Sequence, residues 1–266
     1  KENTRKDSDP GLIPAQEILP DRVILFPADA KPVFPGMIFP LILSHGPEAD
    51  LLRHVAEKVP GQLLGFVLPR ETPGKEKDEN ELQFYRVGTL VRILKLQINE
   101  DGITQALLQG RRRFRIVSVA EQDGRLLAGV EYPEEIFEDS DEVKALTLAI
   151  LGTLRSIMKH NPIFSEEMKM ALARSDWGNP GRLADFAAAL TSSSREELQE
   201  ILDAFEVRHR LNKVLLLLRK ELDINELKEK ISHQIEERIS KQQREFFLRE
   251  QLRVIKQELG LEKEEK

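Results

Sequence analysis

The 266-residue chain contains no cysteine. That excludes a disulfide framework and every cysteine-based zinc site, and it accords with a reducing compartment. Long apolar runs are missing too. The leucine-rich run Val214 to Leu218 is bounded by Lys213, Arg219 and Lys220, far short of the roughly 18 to 20 residues that span a bilayer. The first ten residues, KENTRKDSDP, hold no apolar stretch, so no signal peptide is legible. Residue 1 is Lys and not Met, which points to a trimmed chain or a fragment. Aromatics make up only 6% of the residues, and the net charge is −6. An acidic balance argues against nucleic acid as the main partner. Together these absences suggest a cytoplasmic protein with no membrane partner.

Catalytic signatures are also lacking. A phosphate loop needs Gly, four residues, then Gly-Lys-Ser/Thr. The one near miss, Gly74-Lys75, is followed by Glu76 and has Pro69 where the first glycine belongs. There is no Gly-x-Ser-x-Gly elbow. His45, His54, His160, His209 and His233 have no metal-ligand spacing. No catalytic residue and no metal ligand is therefore assigned. A Ser-Lys pair remains open, because such partners meet only in the fold.

What is present divides the chain by texture. Residues 1–18 are charged and carry Pro10, Gly11 and Pro14, the composition of a mobile tail. Residues 19–133 hold short apolar runs separated by turn signals. These runs are Arg22 to Phe26, Ile38 to Leu43, Leu63 to Leu68, Tyr85 to Ile98, Ile103 to Gln109, Arg113 to Val119 and Leu126 to Tyr132. Asp-Gly at 101–102 and 123–124 predicts hairpin turns. A charged loop follows Pro69, and Gly88 suggests a bulge or bend. One helix is expected over Glu48 to Lys58. Mostly strands with one helix predict a small, partly closed β-barrel.

After the acidic stretch Pro133 to Glu142 the period becomes helical. Val143, Leu146, Ile150, Leu154, Ile157 and Met158 mark one amphipathic face. Ser165 is placed to start a further helix. Asn179-Pro180 reads as a cap followed by a first-turn proline, and Ser194 with Glu197 as a capping box. Residues 134–221 thus form a helical subdomain. From Arg182 to Leu259 there is neither Gly nor Pro, and Gly260 offers a terminal cap. Residues 222–266 predict a long helix, roughly 57 Å over Leu222 to Leu259 at 1.5 Å per residue. Ile224, Leu227, Ile231, Ile235 and Ile239 form one apolar seam and Leu248, Leu252, Ile255 and Leu259 another, with a polar gap at Lys241 to Arg244. Such a helix is either a bundle or coiled-coil member with a solvated middle, or a lever between two domains.

Two stretches could bind something. In KPVFPGMIFPL, Lys31 to Leu41, three prolines and a glycine constrain the backbone. They crowd Val33, Phe34, Met37, Ile38 and Phe39; any of these left exposed would make an apolar patch suited to unfolded chains. In RRRFR, Arg111 to Arg115, four arginines around an aromatic could hold RNA. The same residues equally describe a strand with outward arginines and inward Phe114 and Ile116.

ILPDRVILFPADAKPVFPGMIFPLIL resembles the opening of the N-terminal domain of Lon ATP-dependent proteases. QFYRVGTLVRILKLQINEDGITQALLQGRRRFRI resembles that family's Tyr-x-Val-Gly-Thr strand, Asp-Gly turn and Gly-x-x-Arg return. LADFAAALT and LQEILDAFEVRHRLNKVLLLLRKEL resemble its helical subdomain. KQQREFFLREQLRVIKQELG resembles its long-helix signature. The resemblance covers about Leu19 to Gly260. It implies an α+β fold: a PUA-like barrel, then a helical bundle with a long projecting C-terminal helix. It also implies that an AAA+ module using ATP and Mg, and a Ser-Lys protease domain, belong to a longer parent. This chain would be an excised, non-catalytic N-terminal region. It would recognise unfolded or damaged proteins and support a homohexamer. Phe34, Met37, Ile38 and Phe39 are the candidate substrate contacts, and Phe246, Phe247 and Leu248 the candidate assembly residues.

Overall fold

The computed structural model describes residues 19–28, 30–70, 83–99, 101–160 and 178–259, with side chains of 159 and 160 excepted. The expected N-terminal tail, most of the charged loop after Pro69, the helix start at Ser165 and the cap at Gly260 lie outside the described residues. The chain forms two compact units. The first holds the residues up to Ala28 together with Met37–Pro133; the second holds Ala30–Gly36 and the chain from Glu134 onward.

The first unit contains six strands: β1 Arg22–Pro27, β2 Ile38–Leu43, β3 Leu63–Val67, β4 Val87–Ile98, β5 Thr104–Gln122 and β6 Arg125–Glu131. Helix α1, Pro47–Lys58, follows β2. The strand order is β2-β5-β4-β3-β1-β6, and β6 pairs back onto β5. Five strands therefore close into a ring, and β2 is an appended edge. Only β1 and β3 run parallel. Closure depends on β5. Its first half pairs with β2 and its second half with β6. A single long strand replaces the two predicted over 103–119. Gly110 pairs with Val91 inside the ladder, where the register shifts, so the glycine sits within the strand and does not end it. Such an irregularity bends the strand and raises its twist.

The turns follow local chemistry. Asp123 and Gly124 have φ of 52° and 69°, the paired positive values of a type I′ hairpin turn. In Phe34-Pro35-Gly36-Met37, proline stands at the second position and Gly36 has φ 83° at the third, as in a type II turn.

Phe114 fills the ring interior with Val23, Leu25, Val67, Leu90, Ile116 and Ala128. Its ring leaves no room for a neighbouring side chain. A Cβ on Gly65 would lie 2.9 Å from the ring, and one on Gly88 2.6 Å from it and 2.5 Å from the Phe66 carbonyl oxygen. Gly88 pairs in register with Phe114. It is there for close approach, not for the bend expected from the sequence. At the ring margin the Tyr132 hydroxyl donates to the Pro20 carbonyl oxygen at 2.9 Å. Burial, then the nearby Asp21 charge, pushes the phenol up to about 12, against a smaller opposing effect of Arg112.

The second unit is helical: α2 Asp141–His160, α3 Pro180–Ala189, α4 Arg195–Leu202 and α5 Val207–Glu258. Asn179 caps α3 by accepting from the Arg182 N–H, and Ser194 with Glu197 forms the capping box of α4. The apolar face of α2, including Ile150, Leu154 and Ile157, is buried, as are Leu183 and Ala187 of α3 and Leu211, Val214 and Leu218 of α5. Helices α2 and α3 pack against α5. The acidic stretch that precedes the helices is anchored here. Ile136 exchanges backbone bonds with Phe205 and Val207. The buried Arg210 guanidinium donates to Glu135 at 2.7 Å, to the Ala204 carbonyl at 2.9 Å and to Asp185 at 3.4 Å. No break divides α5 at 221. The helix runs on for 52 residues, about 78 Å at 1.5 Å per residue. What changes is burial, since every residue from Glu226 to Leu259 is exposed.

Candidate functional site

Strand β2, IFPLIL, is apolar on both faces, and pairing with β5 decides which face is covered. Phe39 turns inward, half-buried, with its ring edge-on to Phe66 at 5.8 Å. Ile38 and Ile42 turn outward and are 55% and 65% exposed. Pro40 lies between them, also exposed. The register sets Pro40 opposite Leu107 of β5, which is 38% exposed. Residues directly opposite share a face, so Ile38, Pro40, Ile42 and Leu107 make one outward apolar row.

The Gly110 N–H donates to the Met37 carbonyl at 2.8 Å. In an antiparallel ladder this sets the alternation. Met37, Phe39, Leu41 and Leu43 direct their backbone groups at β5, while Ile38, Pro40 and Ile42 direct theirs at the open edge. Proline has no N–H to offer there, so the middle of the edge lacks a donor.

On the same outer face, β4 places Arg92 opposite Gln109 and Lys95 opposite Leu107. Both cations are exposed. Neither makes an ion pair or a side-chain hydrogen bond among the described residues.

The predicted contacts thus separate. Phe34 is 1% exposed and belongs to the helical unit, where Lys31 Nζ of the same segment donates to the Thr191 carbonyl at 3.1 Å. The Phe34 ring is core and is not offered to a ligand. Met37 and Phe39 are half-buried, and Ile38 is exposed. Ile42 and Leu107 were not singled out from the sequence. The available signal was a six-residue strand apolar at every position, since an ordinary surface strand alternates with polar residues.

The arginine cluster disperses along β5. Arg113 is 3% exposed. Arg115 pairs with Glu131 at 2.9 Å, and Arg111 donates to Gln109 at 3.1 Å. Phe114 points into the ring. Arg112 is exposed, but among the described residues these arginines share no face with an aromatic platform, since Phe114 is buried. Phe246, Phe247 and Leu248 are exposed on α5, and so are Leu227, Ile231, Ile235 and Ile239 at four-residue steps. Among the described residues no group of three or more His, Asp or Glu could hold a metal ion, and no helix is long and apolar enough to cross a membrane.

Residues 22–220 match the family model described as the ATP-dependent protease La (LON) substrate-binding domain. The chain is 42% identical over 248 residues to a Lon protease of Protochlamydia amoebophila, covering 93% of this chain and 30% of that protein. It is 40% identical over 262 residues to Lon protease 1 of Syntrophotalea carbinolica, covering 98% of this chain and 32% of the relative. The chain thus spans about a third of the length of these relatives. Among solved structures, the N-terminal domain of a Mycobacterium avium complex Lon protease superposes with a TM-score of 0.58 at 21% identity, covering 74% of this chain and 98% of that one. A Lon N-terminal domain protein from Xanthomonas campestris superposes with a TM-score of 0.51 at 21% identity, covering 73% and 97%. At that identity the likeness concerns the fold.

Proposed function

Since the chain belongs to the Lon protease family and carries its N-terminal substrate-binding domain, we propose that it captures exposed apolar segments of unfolded or damaged proteins on the outer face of β2 and β5. The observation that supports this reading is the row Ile38, Pro40, Ile42 and Leu107, apolar and outward on a sheet whose opposite face already builds the core. A folded protein hides such segments, so the row discriminates by availability and not by shape. Met37 precedes the row but falls on the Phe39 side of the strand, half-buried, so the row itself carries the capture.

The exposed apolar seam of α5, with Phe246, Phe247 and Leu248, is assigned on the same reading to self-association within a homohexamer in the cytoplasm. ATP hydrolysis with Mg, and peptide cleavage, are assigned to parts of the relatives outside the matched third. The sequence of this chain holds no phosphate loop for the nucleotide.

The test is binding of the 266-residue chain to one client protein, denatured and native. Capture of the denatured form alone is expected; equal binding to both sinks the proposal. Ile42→Ser gives the magnitude. A fully buried Ile contributes about 1.5 to 3 kcal/mol, and about two thirds of this side chain is still exposed. Covering it then contributes roughly 1 to 2 kcal/mol, or about 5- to 30-fold in affinity. Thermal stability should stay within about 0.5 kcal/mol of wild type, as for surface substitutions generally.

A further inference from the structure

The two cations beside the apolar row specify the captured segment further. Resting on the capture reading above, we propose that this face selects apolar segments that carry an acidic residue, laid across the sheet face and not added to its edge. Two observations set the orientation. Strand β2 is an edge, but Pro40 turns a position without N–H toward the opening. An added strand would lose a central ladder bond there. The face has no such obstacle. Its three rows are Ile38–Gln109–Arg92, Pro40–Leu107–Lys95 and Ile42–Gln105–Gln97.

Adjacent strands lie about 4.8 Å apart, so Arg92 and Lys95 on β4 stand roughly 10 Å from the β2 line. A segment running along these rows meets apolar surface on β2, Leu107 flanked by Gln105 and Gln109 on β5, then positive charge on β4. Arg92 and Lys95 are exposed and lack an acidic partner among the described residues. A carboxylate arriving there displaces no ion pair among the described residues, whereas a lysine is repelled. The chain's net charge is −6, so this preference comes from local placement and not from overall charge. A surface charge contact contributes little by itself. The selection is therefore a bias among apolar segments and does not replace the apolar requirement.

The experiment uses three fluorescein-labelled decapeptides of alternating Val and Ser, identical except for Asp, Asn or Lys at two central positions, titrated with the 266-residue chain. The expected order is Asp tightest and Lys weakest, with about fivefold between them at low salt. The gap narrows by about 0.5 M salt, where the screening length has fallen to roughly 4 Å. R92E/K95E should reverse the order; R92Q/K95Q should abolish it. Both positions are exposed, and circular dichroism checks that the variants fold. If all three peptides bind wild type equally and Ile42→Ser weakens each, capture stands and charge selection falls. Charge selection falls likewise if the order survives in R92E/K95E. If no peptide binds, both readings fall.

Discussion

Gly88→Ala tests the interior of the ring with a single methyl group. The new Cβ would stand 2.5 Å from the Phe66 carbonyl oxygen, 2.6 Å from Phe114 Cζ and 2.8 Å from Val67 Cγ1. The carbonyl belongs to β3, which is held between β1 and β4, so it cannot retreat without opening a ladder. Removing a glycine from the unfolded chain favours folding by about 0.4 to 1 kcal/mol. Overpacking a filled interior costs about 1 to 3 kcal/mol, and backbone contact belongs at the upper end. The net expectation is a loss of about 2 kcal/mol. Gly152→Ala is the internal control. It lies in α2 with nothing within 4 Å of its Cβ, and should stabilise that helix by about 1 kcal/mol. Hydrogen exchange resolved by peptide separates the two units. Gly88→Ala should speed exchange in β3, β4 and β5 while leaving α2 and α5 unchanged, and Gly152→Ala should slow it in α2. In a Phe114→Leu background the ring contact is relieved but the carbonyl contact remains, so Gly88→Ala should cost less there than in wild type but not nothing. Wild-type exchange in the Gly88→Ala barrel would refute the steric reasoning, as would the absence of any cost of Gly88→Ala in the Phe114→Leu background.

Other outcomes follow from single groups. The Tyr132 phenol is pushed from 10.0 up to about 12. The unfolded chain therefore ionises first, and barrel stability should fall as pH rises from about 10 toward 12; Tyr132→Phe should remove that part of the alkaline loss in urea titrations. Hydrogen bonding from Lys220, then from the Ser194 backbone, holds the Glu197 carboxyl below its ordinary range. Its contribution is present above that range and lost as pH falls through the lowered value, so acid titration of Glu197→Gln should show a shallower decline than wild type. Asn179→Ala removes the cap on α3 and should cost about 1 kcal/mol by thermal melting. Ile231→Asp/Ile235→Asp on the exposed seam of α5 should lower any concentration-dependent mass in sedimentation; an unchanged mass at every concentration would remove the assembly assignment.

Sequence was sufficient wherever the determining contacts lie within a few residues. The Ser194–Glu197 box, the Asn179 cap and the Asp123-Gly124 turn all appear where local backbone chemistry put them, because a cap or turn is satisfied by its own neighbours. The motifs also identified the family. Tertiary structure decided everything that depends on which distant strand becomes a partner. Pairing of β2 with β5 alone turned Ile38 and Ile42 outward and Phe39 inward, and it brought Leu107 into the same row. It also separated Phe34, buried in the helical unit, from Met37, three residues on in the barrel. Return of β5 onto β6 closed the ring, and the Phe114 that fills it explains Gly88. A strand apolar at every position carries no mark of which face will be covered. That choice belongs to long-range register, where a shift of one residue exchanges the two faces.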